Sequence, residues 1–167
     1  MISMRHMAVA FIENNQRWLM MKRDSERELA GGVWAPIGGH LETGEYQDPV
    51  DACIREITEE TGLLPNEMKD IALKYIVMRK RDQEIRIQYV YFLKTEQTSV
   101  VSNHEGTLEW IETDELLDLQ STFTTHEILK HHLMKSTFED PIMIGVVDQK
   151  PSMHFSVIED YEHPVFK

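Results

Sequence analysis

The stretch from Asp48 to Leu63 (DPVDACIREITEETGL) admits little besides a capped helix. Asp48 is a good N-cap, Pro49 fits the first helical position, where its missing N–H goes unnoticed, and Gly62 suits the left-handed residue that ends a helix. Val50, Ile54 and Ile57 recur at spacings of four and three, which gives the helix one side to bury. Glu56, Glu59 and Glu60 are related by i, i+3 and i+4, so three carboxylates share another side. Like charges at this spacing repel. They make sense either as a solvated acidic face or as ligands of a hard cation, which prefers oxygen donors.

The rest of the chain supplies sheet for such a helix to pack on. Met4 to Glu13 and Arg17 to Arg23 read as strands joined by the turn Glu13-Asn14-Asn15-Gln16. Gly31-Gly32 and Gly38-Gly39 bracket a short extended piece, Val33 to Ile37. Ile71 to Lys80 and Glu84 to Thr95 are two long strands, the second with Ile85, Ile87, Tyr89, Tyr91 and Leu93 on one face. Leu108 to Glu112 is a short strand and Asp114 to Leu119 a short helix. Thr124-Thr125-His126-Glu127 has capping-box spacing and opens a helix to about Lys135. In the tail, Ile142 to Val147 and His154 to Ile158 flank a turn and form an added hairpin. The expectation is one mixed-sheet α/β (α+β) domain.

Charge and composition narrow the function. Seventeen basic residues against twenty-nine acidic ones leave a net charge of −12, which disfavours a nucleic-acid polymer as partner. The apolar run Ile142 to Val147 falls far short of the roughly 20 residues of a membrane span. The first residues carry no cleavage pattern of a secretory leader, and the single cysteine, Cys53, closes no internal disulfide. A cytoplasmic protein without a membrane partner is expected.

The loop before the helix, Gly38-Gly39-His40-Leu41-Glu42-Thr43-Gly44-Glu45, brings two glycines, which allow close backbone approach to a ligand, next to a carboxylate. Together with Arg55-Glu56-Ile57-Thr58-Glu59-Glu60-Thr61-Gly62-Leu63 it resembles the signature of the Nudix hydrolases (MutT-like). Gly39 and Glu45 match its first half, and Arg55 through Leu63 match its second without exception. One departure stands out: nine residues, Tyr46 to Ile54, separate Glu45 from Arg55 where the family has seven. Gln47, eight residues before Arg55, competes for the place of Glu45 beside the arginine. Trp34, Pro36, Glu109-Trp110-Ile111 and Asp114-Glu115-Leu116 are further points of likeness. The resemblance therefore implies a Nudix-like mixed β-sheet sandwiched between helices over residues 1–136, with residues 137–167 as a C-terminal hairpin extension packed on the same domain.

It also implies a chemistry: a metal-dependent cut of a pyrophosphate bond in a nucleoside diphosphate derivative, foremost a plain or modified nucleoside triphosphate, giving monophosphate and pyrophosphate. ADP-ribose, a nucleotide sugar and a non-catalytic nucleotide-binding module remain alternatives. By resemblance Glu56, Glu59 and Glu60 would ligate Mg²⁺ or Mn²⁺ with help from the carbonyl of Gly39, and Arg55 would orient a carboxylate. The family often adds a carboxylate from a later loop as ligand or general base. Glu105 is the candidate, with Glu109 and Glu112 as rivals. Substrate contacts are expected from Gly38, Gly39 and Glu45, from Arg79 and Arg81 in the one basic cluster, and from the ring of Phe123. Related isopentenyl-diphosphate isomerases use a catalytic cysteine, but Cys53 lies inside the helix, where a small packing residue is expected. The tail either caps the pocket or joins two subunits in a homodimer.

Overall fold

The computed structural model describes residues 1–26, 31–102, 104–134, 141–150 and 152–160. Strands β1 (Ser3–Asn14) and β2 (Arg17–Arg23) form the expected hairpin. It turns on Asn15 and Gln16 at φ 50° and 65°, the paired left-handed residues that follow the twist of the strands. Farther from the turn, β1 changes partner. Its residues Met7 to Ala10 pair antiparallel with β4 (Ile37–His40), which follows the two-residue β3 (Trp34–Ala35).

Strands β5 (Lys69–Arg81) and β6 (Glu84–Lys94) form a long hairpin, and β6 runs parallel to β1 from Ser3 to Glu13. Strand β7 (Gly106–Glu112) pairs with β2. The tail supplies β8 (Met143–Val147), parallel to β5, and β9 (Met153–Val157), antiparallel to β8. The backbone order is β3-β2-β1-β6-β5-β8-β9, with β4 on β1 and β7 on β2.

A helix covers each face of this sheet, because side chains alternate along a strand. Ala8, Ala10 and Ile12 of β1 pack with Ala52, Cys53 and Ile57 of α1 (Pro49–Thr61). Val9 and Phe11 pack on the other side with Ile128 and Leu129 of α2 (Phe123–Met134). Strand β6 is buried on both sides: Tyr91 and Leu93 join the first cluster, Val90 and Phe92 the second. That is why its sequence alternates only in part. Phe155 of β9 packs on Tyr75 and stacks on His131, with ring centroids 5.6 and 4.1 Å apart, which ties the tail hairpin to β5 and α2.

The caps of α1 are those the sequence predicts. Asp48 accepts from the N–H of Val50 at 3.4 Å, and Gly62, at φ 76°, donates to the carbonyl of Thr58. The start of α2 differs from the expectation. The Thr122 hydroxyl, not that of Thr124, accepts from a helix N–H (Thr125, 3.3 Å), and the helix begins at Phe123. Thr124 is buried, which takes it out of the capping role. Residues 113–118 form a 3₁₀ turn where a short helix is expected. Lys135, the expected end of α2, lies outside the described residues. Among the described residues no helix is long and apolar enough to cross a membrane.

Candidate active site

The three helical glutamates share a side of α1 but not an environment. Glu60 lies seven residues after Cys53 and three after Ile57, on the same buried stripe, so it turns under the sheet and is 5% exposed. Its Oε2 accepts from the N–H of Gly38 at 2.9 Å. The side chain of Glu56 is 13% exposed, while that of Glu59 is 58% exposed and reaches outward. Glu105, from the loop before β7, comes within hydrogen-bonding reach of the Glu60 carboxyl.

Burial raises the Glu60 carboxyl to about 8, and the neighbouring Glu105 and Glu56 add to the rise against the Gly38 hydrogen bond. Burial likewise raises Glu56, helped by Glu59 and Glu105 and opposed by Arg55.

Arg55 organises the outer side. Its Nε and Nη2 grip both oxygens of Glu45 at 2.8 and 3.0 Å, the fork geometry that only arginine offers a carboxylate. Nη1 donates to Glu56 at 2.9 Å and Glu59 at 3.3 Å, and Nη2 also donates to the carbonyl of His40 at 3.0 Å. Glu45 and Glu56 hold the guanidinium pKa above its usual value, and the bond from Arg55 pulls the Glu45 carboxyl down. The longer loop before α1 thus still delivers Glu45, and not Gln47, to Arg55. Glu45 also accepts from the N–H of Glu42 at 2.6 Å. Its two oxygens are engaged in holding the loop.

The glycines are needed for closeness. A side chain at Gly38, which has φ 139°, would put Cβ 2.2 Å from the carbonyl oxygen of Ala8. One at Gly39 would lie 2.5 to 2.8 Å from the Glu56 carboxylate. Both glycines line a cleft of about 360 Å³ together with Glu56, Glu60, Glu105 and His40. Arg79, Arg81 and Phe123 do not line it, nor do Glu109 and Glu112, and no described residue of the tail does. Arg79 lies instead against Thr124, and Arg81 is 71% exposed at the β5–β6 turn. Sequence reading does not single out His40, which carries no spacing signal. Cys53 is buried beside this region with its thiol pushed up to about 12 by burial and Glu56, so it is a packing residue and not a nucleophile.

Among the described residues no three His, Cys, Asp or Glu side chains already form a group that could hold a metal ion, and Glu59 is turned out to Arg55. The donor chemistry nonetheless suits a hard divalent cation. It offers oxygen alone, from Glu56, Glu60, Glu105 and the Gly39 main chain, with two carboxyls raised by burial and mutual repulsion that a cation would relieve.

A pH effect follows for protein held in chelator. The folded Glu60 carboxyl titrates near 8 and the unfolded one near 4.5, so between these values the folded state alone holds the proton. Stability from this group is full below the unfolded pKa and is lost as pH rises from there through about 8, by at most about 5 kcal/mol. Thermal melts from pH 5 to 9 should show this decline, and Glu60→Gln should flatten it. An unchanged slope in the variant would contradict the assignment.

Comparison with known proteins places this geometry. The NUDIX domain family model matches residues 4–133. Over 54 residues the chain is 39% identical to the m7GpppN-mRNA hydrolase NUDT17 of Xenopus laevis, covering 32% of this chain and 18% of that protein. Over 58 residues it is 40% identical to the nucleoside triphosphatase NudI of Enterobacter sp. (strain 638), covering 35% of this chain and 40% of that protein. The likeness thus spans less than half the length of either relative. The mutator MutT protein of Bacillus halodurans shares the fold at a TM-score of 0.70 and 20% identity, over 92% of this chain and 97% of that one. With the family model matched across most of its length and the same fold around the helix, the chain belongs to the NUDIX domain family.

Proposed function

We propose that this protein is a divalent-cation-dependent pyrophosphohydrolase, its domain spanning residues 1–136 and extended by the tail, which cuts a pyrophosphate linkage in a small nucleotide. The first substrate class is nucleoside triphosphates, plain or modified, cut to monophosphate and pyrophosphate. The observation that carries this reading is the convergence of Glu56, Glu60 and Glu105 on one cleft beside Gly38 and Gly39. Names of relatives support it, one being a nucleoside triphosphatase and another an m7GpppN-mRNA hydrolase.

Glu56, Glu60, Glu105 and the Gly39 carbonyl would hold Mg²⁺ or Mn²⁺, with Glu59 at the rim. The chemistry such a cation supplies when bound is neutralisation of diphosphate charge and acidification of water. Arg55 fixes the Glu56 carboxylate by holding it in one network with Glu45. The hydrogen bond from Gly38 anchors Glu60. Glu105 receives the proton as water oxygen bonds to phosphorus and the P–O bond to the leaving phosphate group breaks.

The test is turnover of a panel of nucleoside triphosphates, modified triphosphates, nucleotide sugars and ADP-ribose, each with Mg²⁺ or Mn²⁺. Metal-dependent release of pyrophosphate from a triphosphate is the expected result. Ligand-induced thermal stabilisation without turnover on any member would overturn the enzyme reading in favour of a binding module.

A further inference from the structure

Positive charge is scarce on this chain, yet three arginines stand in one row across adjacent strands. Arg5 of β1 pairs with Arg86 of β6, and Arg86 pairs with Arg79 of β5. The neighbouring row is Met7, Gln88 and Val77, two residues along each strand and on the same face, about 7 Å away. Met7 is paired with His40, and both line the cleft. The arginine row therefore begins where that wall of the cleft ends. Arg5 and Arg86 add to the effect of burial in lowering the His40 imidazole, so their field reaches the wall.

Within the row the charges are unequally matched. Glu84 bonds both Arg5, at 3.2 Å, and Arg86. Arg79 is half-buried, and among the described residues no carboxylate stands in salt-bridge contact with it. Its polar contact is the Thr124 hydroxyl at 3.5 Å. Burial and the neighbouring Arg86 and Arg81 oppose its charge, and Glu84, bonded to Arg5 and Arg86, offsets them only in part. A half-buried guanidinium that no carboxylate contacts among the described residues is costly, and an oxyanion offering two acceptors would satisfy it.

We infer that Arg79 and Arg86, with the Thr124 hydroxyl, form an anion subsite beyond the His40 wall that takes a phosphate other than the pair being cleaved. Building on the pyrophosphohydrolase reading, this selects phosphate-terminated substrates, nucleoside triphosphates and longer polyphosphates, over diphosphates that end in a neutral sugar.

Calorimetric binding of inorganic triphosphate in chelator reads the subsite without turnover. Arg79→Gln should weaken binding at least about tenfold, and Arg79→Lys, which keeps the charge without the fork, should fall between. Lys80→Gln, the same charge loss on the exposed neighbour, should stay within about twofold of the parent. In turnover, Arg79→Gln should raise KM for a nucleoside triphosphate by a similar factor, leave kcat within about threefold, and leave ADP-ribose unaffected. Melting temperatures confirm that the variants fold. Absence of triphosphate binding in the parent, or equal weakening by Arg79→Gln and Lys80→Gln, would overturn the subsite. Binding that depends on Arg79 in a protein that hydrolyses nothing would keep the subsite and sink the enzyme reading instead.

Discussion

Glu56→Gln is expected to lower kcat/KM on the best substrate by about 10²–10⁴-fold, with the melting temperature unchanged or higher. Glutamine keeps the size of the side chain and an oxygen that can accept from Arg55, now 2.9 Å away. What it loses is the charge, which burial, Glu59 and Glu105 already oppose. Removing that charge relieves repulsion in the folded state, so stability should not fall. Glu60→Gln should behave alike and gain stability at pH 8, because it retains an acceptor for the Gly38 N–H. Activity within about threefold of the parent in either variant would place the chemistry elsewhere. A residue that serves structure would show the opposite pattern, a loss of stability with activity per folded molecule preserved.

Gly38→Ala is expected to destabilise the protein by about 4 kcal/mol or more, lowering Tm by roughly 8–16 °C. The new Cβ would lie 2.2 Å from the Ala8 carbonyl oxygen and 2.7 Å from Val9 Cα, both main-chain atoms of a central strand. Backbone there cannot move without opening the β1–β4 pairing, and φ 139° is itself unfavourable for alanine. Gly39→Ala is the instructive contrast. The three atoms nearest its Cβ would all belong to the Glu56 carboxylate, the end of a side chain that can swing aside. A stability loss of about 1 kcal/mol or less is expected there, with activity reduced because the displaced carboxylate leaves its bond to Arg55. Thermal melts and turnover on both variants separate the two effects, and a Gly38→Ala protein melting within about 3 °C of the parent would contradict the packing argument.

What the sequence makes legible here is local. The caps at Asp48 and Gly62, the Asn15-Gln16 turn and the spacing of Glu56, Glu59 and Glu60 each depend on residues a few positions apart, so they can be read without the fold. The spacing alone could not say that Glu60 would be buried and Glu59 exposed. That depends on which part of α1 meets the sheet, and the contact centres on Ala52, Cys53 and Ile57 more than on Val50 and Ile54. The path of the longer loop that returns Glu45 to Arg55 was equally out of reach. The row Arg5-Arg86-Arg79 exists only through a parallel pairing of β1 with β6 and an antiparallel one of β6 with β5. Register between strands eighty residues apart leaves no mark on the sequence of either. The sequence puts the start of α2 two residues late because Thr122 and Thr124 are equally good caps in isolation, and burial of Thr124 decides between them.

The central claim is that Glu56, Glu60 and Glu105 form an acid cluster that holds a divalent cation against a diphosphate. Its most direct test is a titration of Mn²⁺ followed by electron paramagnetic resonance at pH 8, on the parent protein and on the double variant Glu56→Gln, Glu60→Gln, with and without a non-hydrolysable diphosphate analogue. The account predicts that the parent binds Mn²⁺, that the analogue tightens binding, and that the double variant loses at least about tenfold in affinity while remaining folded. Mn²⁺ binding of equal strength in parent and double variant, indifferent to the diphosphate, would contradict it.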